Sequence, residues 1–342
     1  MNYSERYVRQ IGFEDIGEAG QKLISSHHAL VLGCGGLGSV SAELLVRMGI
    51  GHLTLVDRDV VEMSNLNRQS LFTESDAKHG IPKAVAAENM LKQINTTIDI
   101  DSCVDDVTRF NVEDYIKSAD VIVDGTDNFT TRYLINEACV KHNRTWIYGS
   151  CGETYGMVTT IIPGVTPCFS CLFEHHREEH EAITSETAGI INPIVHLIAS
   201  IQCAEVLKLI INRHDLLNSG VLSIDLWRNS YENIHFASIN KEKRCPVCNY
   251  HQFDYLDGRY GIAYASPHGS NGVQINPFTE MKLDIDDLST RINEKQLISS
   301  NKYVVRFLEQ DYEILLFYNG RSIVKGTTDI GIARGLIDKY LK

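Results

Sequence analysis

The chain has 342 residues, 43% of them hydrophobic and 22% charged, which is ordinary globular composition and enough length for one large core and a smaller second one. A formal net charge of −12, concentrated before Tyr250, argues against nucleic acid as a partner, because a phosphate backbone would be repelled. No unbroken apolar run approaches the roughly 18 residues of a membrane span, and the opening MNYSERYVRQ is too polar for an export signal, so a cytoplasmic protein without membrane contact is expected.

Short apolar runs alternate with helical patterns over the first two-thirds, as successive β-α-β units do. Residues 29–32 form the first expected strand, and Gly33-Cys-Gly35-Gly36-Leu-Gly38 follows it and opens a helix over 37–48 that Gly49 stops. Glycines in that context allow a tight turn and close backbone approach to phosphate, at a helix end that offers free N–H groups. A tight turn without a ligand is the plainer alternative. The next strand, 52–56, ends at Asp57, where a carboxylate can accept hydrogen bonds from a ribose. That much fits a nicotinamide dehydrogenase as well as an ATP site. What comes next favours ATP: Asp57-Arg-Asp59 runs into Ser64-Asn65-Leu66-Asn67-Arg68-Gln69, and Lys83 follows at the start of a helix opened by Pro82. A triphosphate carries more charge than a dinucleotide bridge and calls for Arg, Lys and a metal, although any one of these polar groups alone reads equally well as a solvated surface residue.

Strands are expected at 119–123 and 145–148, with a helix over 128–142 between them. The intervening Asp124-Gly-Thr126-Asp127-Asn128 ends a strand where ligands of open α/β sheets collect, so Asp127 is a candidate for Mg²⁺; capping of the following helix by Asp127 or Asn128 is the structural alternative. Further strands are expected at 155–162, 221–226 and 232–239, and a long apolar helix over 187–211 despite Pro193. Nine cysteines in a chain of this kind point away from disulfides. Cys168-Phe-Ser-Cys171 and Cys245-Pro-Val-Cys248 have the spacing of a closed, structural Zn²⁺ site, whereas redox dithiols normally come singly. His175, His176 and His180 show no ligand spacing and read as part of a solvated crossover. Residues 1–250 are thus read as one domain, 251–272 as a turn-rich linker, and 273–342 as a small α+β accessory domain. Its Asn319-Gly320 marks a hairpin, and its helix, over 329–341, is capped by Asp329. The expected fold class is α/β: a Rossmann-like sheet whose parallel nucleotide-binding half continues into antiparallel strands, plus the small C-terminal unit.

With the glycine loop, Asp57, the S-N-L-N-R-Q run, Lys83, the T-D-N turn and the paired C-x-x-C motifs in this order, the chain resembles the MoeB/ThiF/HesA family of ubiquitin-activating-like adenylyltransferases, MoeB most closely. The resemblance covers residue 4 to about 250. It implies a homodimer that adenylates the C-terminal glycine of a ubiquitin-like sulfur carrier, MoaD in molybdopterin synthesis or ThiS in thiazole synthesis. It further implies that Gly33, Gly35, Gly36, Gly38, Asp57, Asp59, Asn65, Arg68, Gln69, Lys83, Asp127 and Asn128 bind the nucleotide and Mg²⁺. Arg9, in the R-Y-V-R-Q segment, would reach the partner protomer's site from a short polar arm. Some members carry a cysteine before the T-A-G stretch, where this chain has Ser185, a poor nucleophile without a base. A separate sulfur donor and a MoaD-type carrier are therefore the first expectation, a ThiS-type carrier the second, and a catalytically silent nucleotide-binding scaffold the third.

Overall fold

A computed structural model describes residues 3–173, 189–238, 244–259, 264–265, 272–275, 281–293 and 295–340. Two compact units emerge, one made of residues 1–74 and 82–260, the other of 75–81 and 261–342.

In chain order the first unit holds α1 (Tyr3–Ile11), α2 (Gly17–Ile24), β1 (His28–Leu32), α3 (Gly36–Met48), β2 (His52–Val56), then, after α4 (Glu74–His79), whose residues from 75 on belong to the second unit, α5 (Lys83–Ile94), β3 (Asp99–Cys103), α6 (Val112–Ser118), β4 (Val121–Asp124), α7 (Phe129–His142), β5 (Trp146–Gly152), β6 (Tyr155–Ile161), α8 (Phe169–Leu172), α9 (Asn192–Ile210), β7 (Gly220–Asp225) and β8 (Ser230–His235). The eight strands form one sheet in the order β3-β2-β1-β4-β5-β6-β7-β8. Pairing is parallel from β3 to β5 and antiparallel from β5 to β8, as expected. The strand order switches sides between the parallel neighbours β1 and β4, and in open α/β sheets such a switch point leaves a crevice at the carboxyl ends of the two strands. β1 reads as a continuous apolar run because Ala29, Leu30, Val31 and Leu32 are fully buried, with helices on both sides.

Several elements differ from expectation for local reasons. The long helix starts at Asn192, so Pro193 sits in its first turn, where a missing N–H breaks no bond. α9 is apolar and long enough to cross a membrane by composition, yet Ile194, Val195, Ile198, Ala199, Cys203, Val206 and Ile210 are buried in the core of this unit. The strand expected to reach residue 239 ends at His235 and turns into a 3-10 turn over Phe236–Ser238. The N-terminal arm is a helix docked by Tyr7, whose buried hydroxyl accepts from Asn95 Nδ2 at 2.8 Å, and by Gln10, which donates to the Met48 carbonyl at 2.9 Å.

The second unit is a six-stranded antiparallel sheet with β9 (Tyr264–Ala265), β10 (Gly272–Ile275), β11 (Leu297–Asn301), β12 (Val304–Glu309), β13 (Tyr312–Phe317) and β14 (Ser322–Lys325), joined by α10 (Ile285–Arg291) and α11 (Ile330–Ile337). Val273, Phe307, Ile314 and Val324 pack with Leu288 and Leu336 of the helices. The hairpin around Asn319-Gly320 forms, with Gly320 at φ +82°, and Asp329 caps α11 by accepting from the Ile332 N–H at 3.0 Å. The stretch expected as a linker is divided: residues 251–259 continue the first unit, whereas β9 and β10 belong to this sheet.

Candidate functional site

The glycine loop joins β1 to α3 at the crevice. Gly33 has φ +86°, and a side chain there would lie 2.7 Å from the Gly125 carbonyl oxygen; at Gly38 a Cβ would lie 1.7 Å from the Gly33 oxygen. Only bare backbone lets this loop and the turn after β4 approach so closely. Helix α3 begins after Gly35 with no side chain capping it, so its first N–H groups remain available to an anion.

Asp57 ends β2 and braces the loop: Oδ2 accepts from the Cys34 N–H at 2.6 Å and Oδ1 from the Asp59 N–H at 2.7 Å. Burial pushes its carboxyl up, against the pull of Lys83 and these two bonds. Lys83 opens α5 and is buried, with Nζ 3.3 Å from Asp59 Oδ2. Burial disfavours the ammonium, but Asp59, Asp57 and Asp127 outweigh it and hold the pKa of Lys83 above its ordinary value. Arg58 meets this group at Asp59, 3.7 Å away, and pairs with Asp106 at 3.1 Å.

The S-N-L-N-R-Q run divides by role. Asn65 is buried and accepts the Glu62 N–H at 3.0 Å, which closes a capping box around Met63–Asn65. Arg68 donates to the Ser64 carbonyl at 3.0 Å and to Asn67 at 3.1 Å, and the Asn67 carbonyl accepts from Asn192 at the start of α9. Gln69 is buried beside the glycine loop with its Oε1 unpartnered, an orphaned polar atom of the kind a bound nucleotide would satisfy.

On the other side of the crevice, Asp127 is exposed and Asn128 accepts the Thr131 N–H at 2.8 Å, capping α7. Sequence reasoning missed Arg132, one turn into that helix. It is buried and donates to Asp124 Oδ2 at 3.0 Å, the Thr126 carbonyl at 2.5 Å and the Gly149 carbonyl at 3.0 Å. A carboxylate eight residues before a buried-helix arginine was the available signal. Arg9 is exposed on α1, and among the described residues no bond ties it to these groups. Ser185 and the histidine-bearing crossover lie outside the described residues.

A second centre lies in the same unit. Sγ atoms of Cys168, Cys171, Cys245 and Cys248 all fall within 4.8 Å of one another, with 3.7 Å for Cys168–Cys171, 3.7 Å for Cys168–Cys245 and 3.5 Å for Cys171–Cys248. Four thiolates about 2.3 Å from one tetrahedral metal would be about 3.8 Å apart, so the cluster has the size of a closed Cys₄ site. Cys34, Cys139 and Cys203 are buried free thiols, and Cys103 and Cys151 are half-buried ones.

A glycine loop, a buried carboxylate at the end of β2 and a buried lysine lie together on a Rossmann-like sheet, and with the chain's family and relatives they mark an ATP-binding adenylyltransferase. The chain belongs to the ThiF family, whose sequence profile matches residues 7–247. It is 38% identical over 337 residues to the sulfur carrier protein ThiS adenylyltransferase of Bacillus subtilis, spanning 98% of this chain and 99% of that protein. Identity to the SAMP-activating enzyme E1 of Haloferax volcanii is 32% over 244 residues, 71% of this chain and 88% of that one. Among solved structures, E. coli MccB with ATP superposes with a TM-score of 0.61 at 24% identity over 71% of this chain and 74% of that chain, a likeness of fold.

Proposed function

We propose that this enzyme adenylates the C-terminal glycine of a ubiquitin-like sulfur carrier, and that the carrier is of the ThiS type, serving thiazole synthesis for thiamine. The observation that carries the choice of carrier is the extent of the likeness to the Bacillus enzyme, which runs past Tyr250 through the C-terminal unit. This reverses the order drawn from the sequence, which put a MoaD-type carrier first because of Ser185.

In the proposed reaction a carboxylate oxygen of the carrier attacks the α-phosphorus of ATP. The bond to the bridging oxygen breaks, and pyrophosphate leaves with that electron pair. A terminal carboxyl with a pKa near about 3.5 is already ionised at neutral pH, so no general base is needed. The chemistry needs cancellation of negative charge. The buried Lys83 ammonium and the Arg68 guanidinium would take the phosphates, the latter by leaving its local carbonyl partner. Asp57 would hold the ribose with the lone pairs its two N–H bonds leave open, and Gln69 Oε1 would gain a partner. Asp127, an exposed carboxylate, is the proposed Mg²⁺ ligand; the ion would offset phosphate charge when bound. Zn²⁺ on the four cysteines would be structural. Arg9 would serve a partner protomer in a homodimer, and sulfur would come from a separate donor.

The test is ATP–pyrophosphate exchange with purified ThiS and MoaD offered separately. ThiS should stimulate exchange well above MoaD. Stimulation by MoaD alone would reverse the carrier choice, and exchange with neither would remove the adenylylation reading.

A further inference from the structure

We propose that Arg132 is a positioning residue for adenylyl transfer, whose guanidinium clamps the turn at residues 125–126 to Gly149 in the middle of β5 and so sets where Asp127 presents its carboxylate. This rests on the adenylylation reading above.

The turn is held from two sides. Asp124 accepts the Thr126 N–H at 2.9 Å and the Thr126 hydroxyl at 2.6 Å through one carboxylate oxygen, and takes the Arg132 Nε on the other at 3.0 Å. Arg132 Nη2 then closes the ring by donating to the Thr126 carbonyl at 2.5 Å, and the same nitrogen reaches the Gly149 carbonyl of β5 at 3.0 Å. Both peptide groups of Thr126 are thereby fixed, one residue before Asp127. The guanidinium lies 5.1 Å from the ring centre of Tyr148 and 5.9 Å from that of Phe129, which leaves it little room to change rotamer. Beneath it, Gln202 of α9 donates to the carbonyls of Asp124 and Ile147 at 2.9 and 3.1 Å, tying β4 to β5 a second time.

Simple strand cohesion does not call for this arrangement. Gln202 and the parallel ladder already join β4 to β5, and a buried ion pair is a poor source of stability compared with apolar packing. Three acceptors, one at the end of β4, one in the turn after it and one in the middle of β5, tie to the strands the turn that leads to the exposed Asp127, which is what a fixed carboxylate direction requires. A planar fork of donors makes those three bonds at once, which a lysine ammonium at the end of a flexible stem does not reproduce.

The test compares wild type, Arg132→Lys, Asp127→Asn and the double variant in carrier-dependent pyrophosphate exchange. Arg132→Lys keeps the positive charge that the buried Asp124 needs. Its turnover should fall about 10- to 100-fold, the effect of misplacing a group by about 1 Å, while KM for ATP stays within about threefold. Because Arg132 acts through Asp127, the double variant should be no slower than Asp127→Asn alone. Should Arg132→Lys fail to fold, Thr126→Val cuts the turn's hydroxyl bond and leaves the ion pair intact; it too should lower turnover without raising KM. An active wild type with Arg132→Lys at wild-type turnover, losses that multiply in the double variant, or Thr126→Val at full turnover in place of an unfolded lysine variant would each overturn the proposal. An inactive wild type would instead sink the adenylylation reading itself.

Discussion

A buried lysine among carboxylates is the most informative single residue. Lys83 has little solvent to stabilise its charge, and the fold supplies Asp59, Asp57 and Asp127 instead. Its pKa is raised, so the stability it contributes is fully present below the unfolded value of about 10.4 and is lost only as pH rises through the higher folded value. Lys83 therefore stays charged from pH 6 to 9, and a pH profile of exchange in that window should contain no ionisation that Lys83→Arg displaces. Lys83→Ala should cut exchange by about 100-fold or more while leaving the fold intact, because it removes charge compensation from the reacting phosphates. A Lys83→Ala enzyme with near wild-type exchange would exclude the role. Residue types and their order pointed to Asp57, Lys83 and the glycines, since each sits at a strand end or helix start that the apolar pattern defines. Pattern did not separate the amides: Asn65 and Asn128 use their side-chain oxygens on backbone N–H groups, whereas Gln69, two residues from a solvent-facing Asn67, is buried and orphaned. That division depends on how the loop folds back, which no local spacing encodes.

Helix α7 links the two centres of the first unit. Asn128 caps its start and Arg132 lies in its first turns, while Asn136 and Glu137, both buried, face the cysteine-bearing segments. Asn136 Oδ1 accepts the Phe169 N–H at 2.9 Å, next to Cys168, and Glu137 Oε2 accepts the Tyr255 and Leu256 N–H groups at 2.9 and 3.0 Å, beyond Cys248. Cys245→Ser should lose bound zinc by metal analysis and unfold at lower urea, because one opened ligand position frees a segment 77 residues away in sequence from Cys168. Glu137→Ala should keep its zinc yet lose about 1–3 kcal/mol of stability in urea, since the buried Tyr255 N–H and the half-buried Leu256 N–H lose their carboxylate acceptor. A zinc-free wild type of full stability would contradict the first expectation, and an unchanged urea midpoint the second. Elements with one-sided or fully apolar patterns, such as β1, α3 and β4, were legible in the sequence. β3 was not: Asp99–Cys103 is a half-exposed edge strand whose polar residues mask its pairing with β2. α9 was placed five residues too early at its start because a proline in a first turn looks like one in a helix interior until the cap is known.

For the molecule as a whole, two questions concern what each active site borrows. Arg9 sits on a helix anchored to its own chain by Tyr7 and Gln10, with its side chain exposed. If it completes a partner's site, inactive Arg9→Ala and Asp127→Ala homodimers should regain about half of wild-type exchange per dimer after subunit mixing, because both lesions then fall in one site. No recovery, with exchange of subunits verified, would refute the shared site. The second question is what the C-terminal unit contributes. All the candidate nucleotide and metal residues precede Tyr250, so a chain ending at Tyr260 should still form adenylate. Residues 75–81, however, pack with the C-terminal unit, where Asn301 Nδ2 donates to the Gly80 carbonyl at 3.3 Å. Those seven residues lie within the stretch from Gln69 to Lys83, so removing their packing partner loosens one approach to Lys83, the proposed phosphate ligand. Lys83 itself keeps its anchor, since its N–H donates to the Asp59 carbonyl at 2.8 Å within the first unit. The expected outcome is therefore graded: turnover near wild type, KM for ATP raised by a few-fold, and faster proteolysis confined to residues 70–82. A truncated protein that folds and dimerises but forms no adenylate would mean that the C-terminal unit helps to build the substrate site, and an unchanged KM with no new cleavage would mean that residues 75–81 hold their place without it.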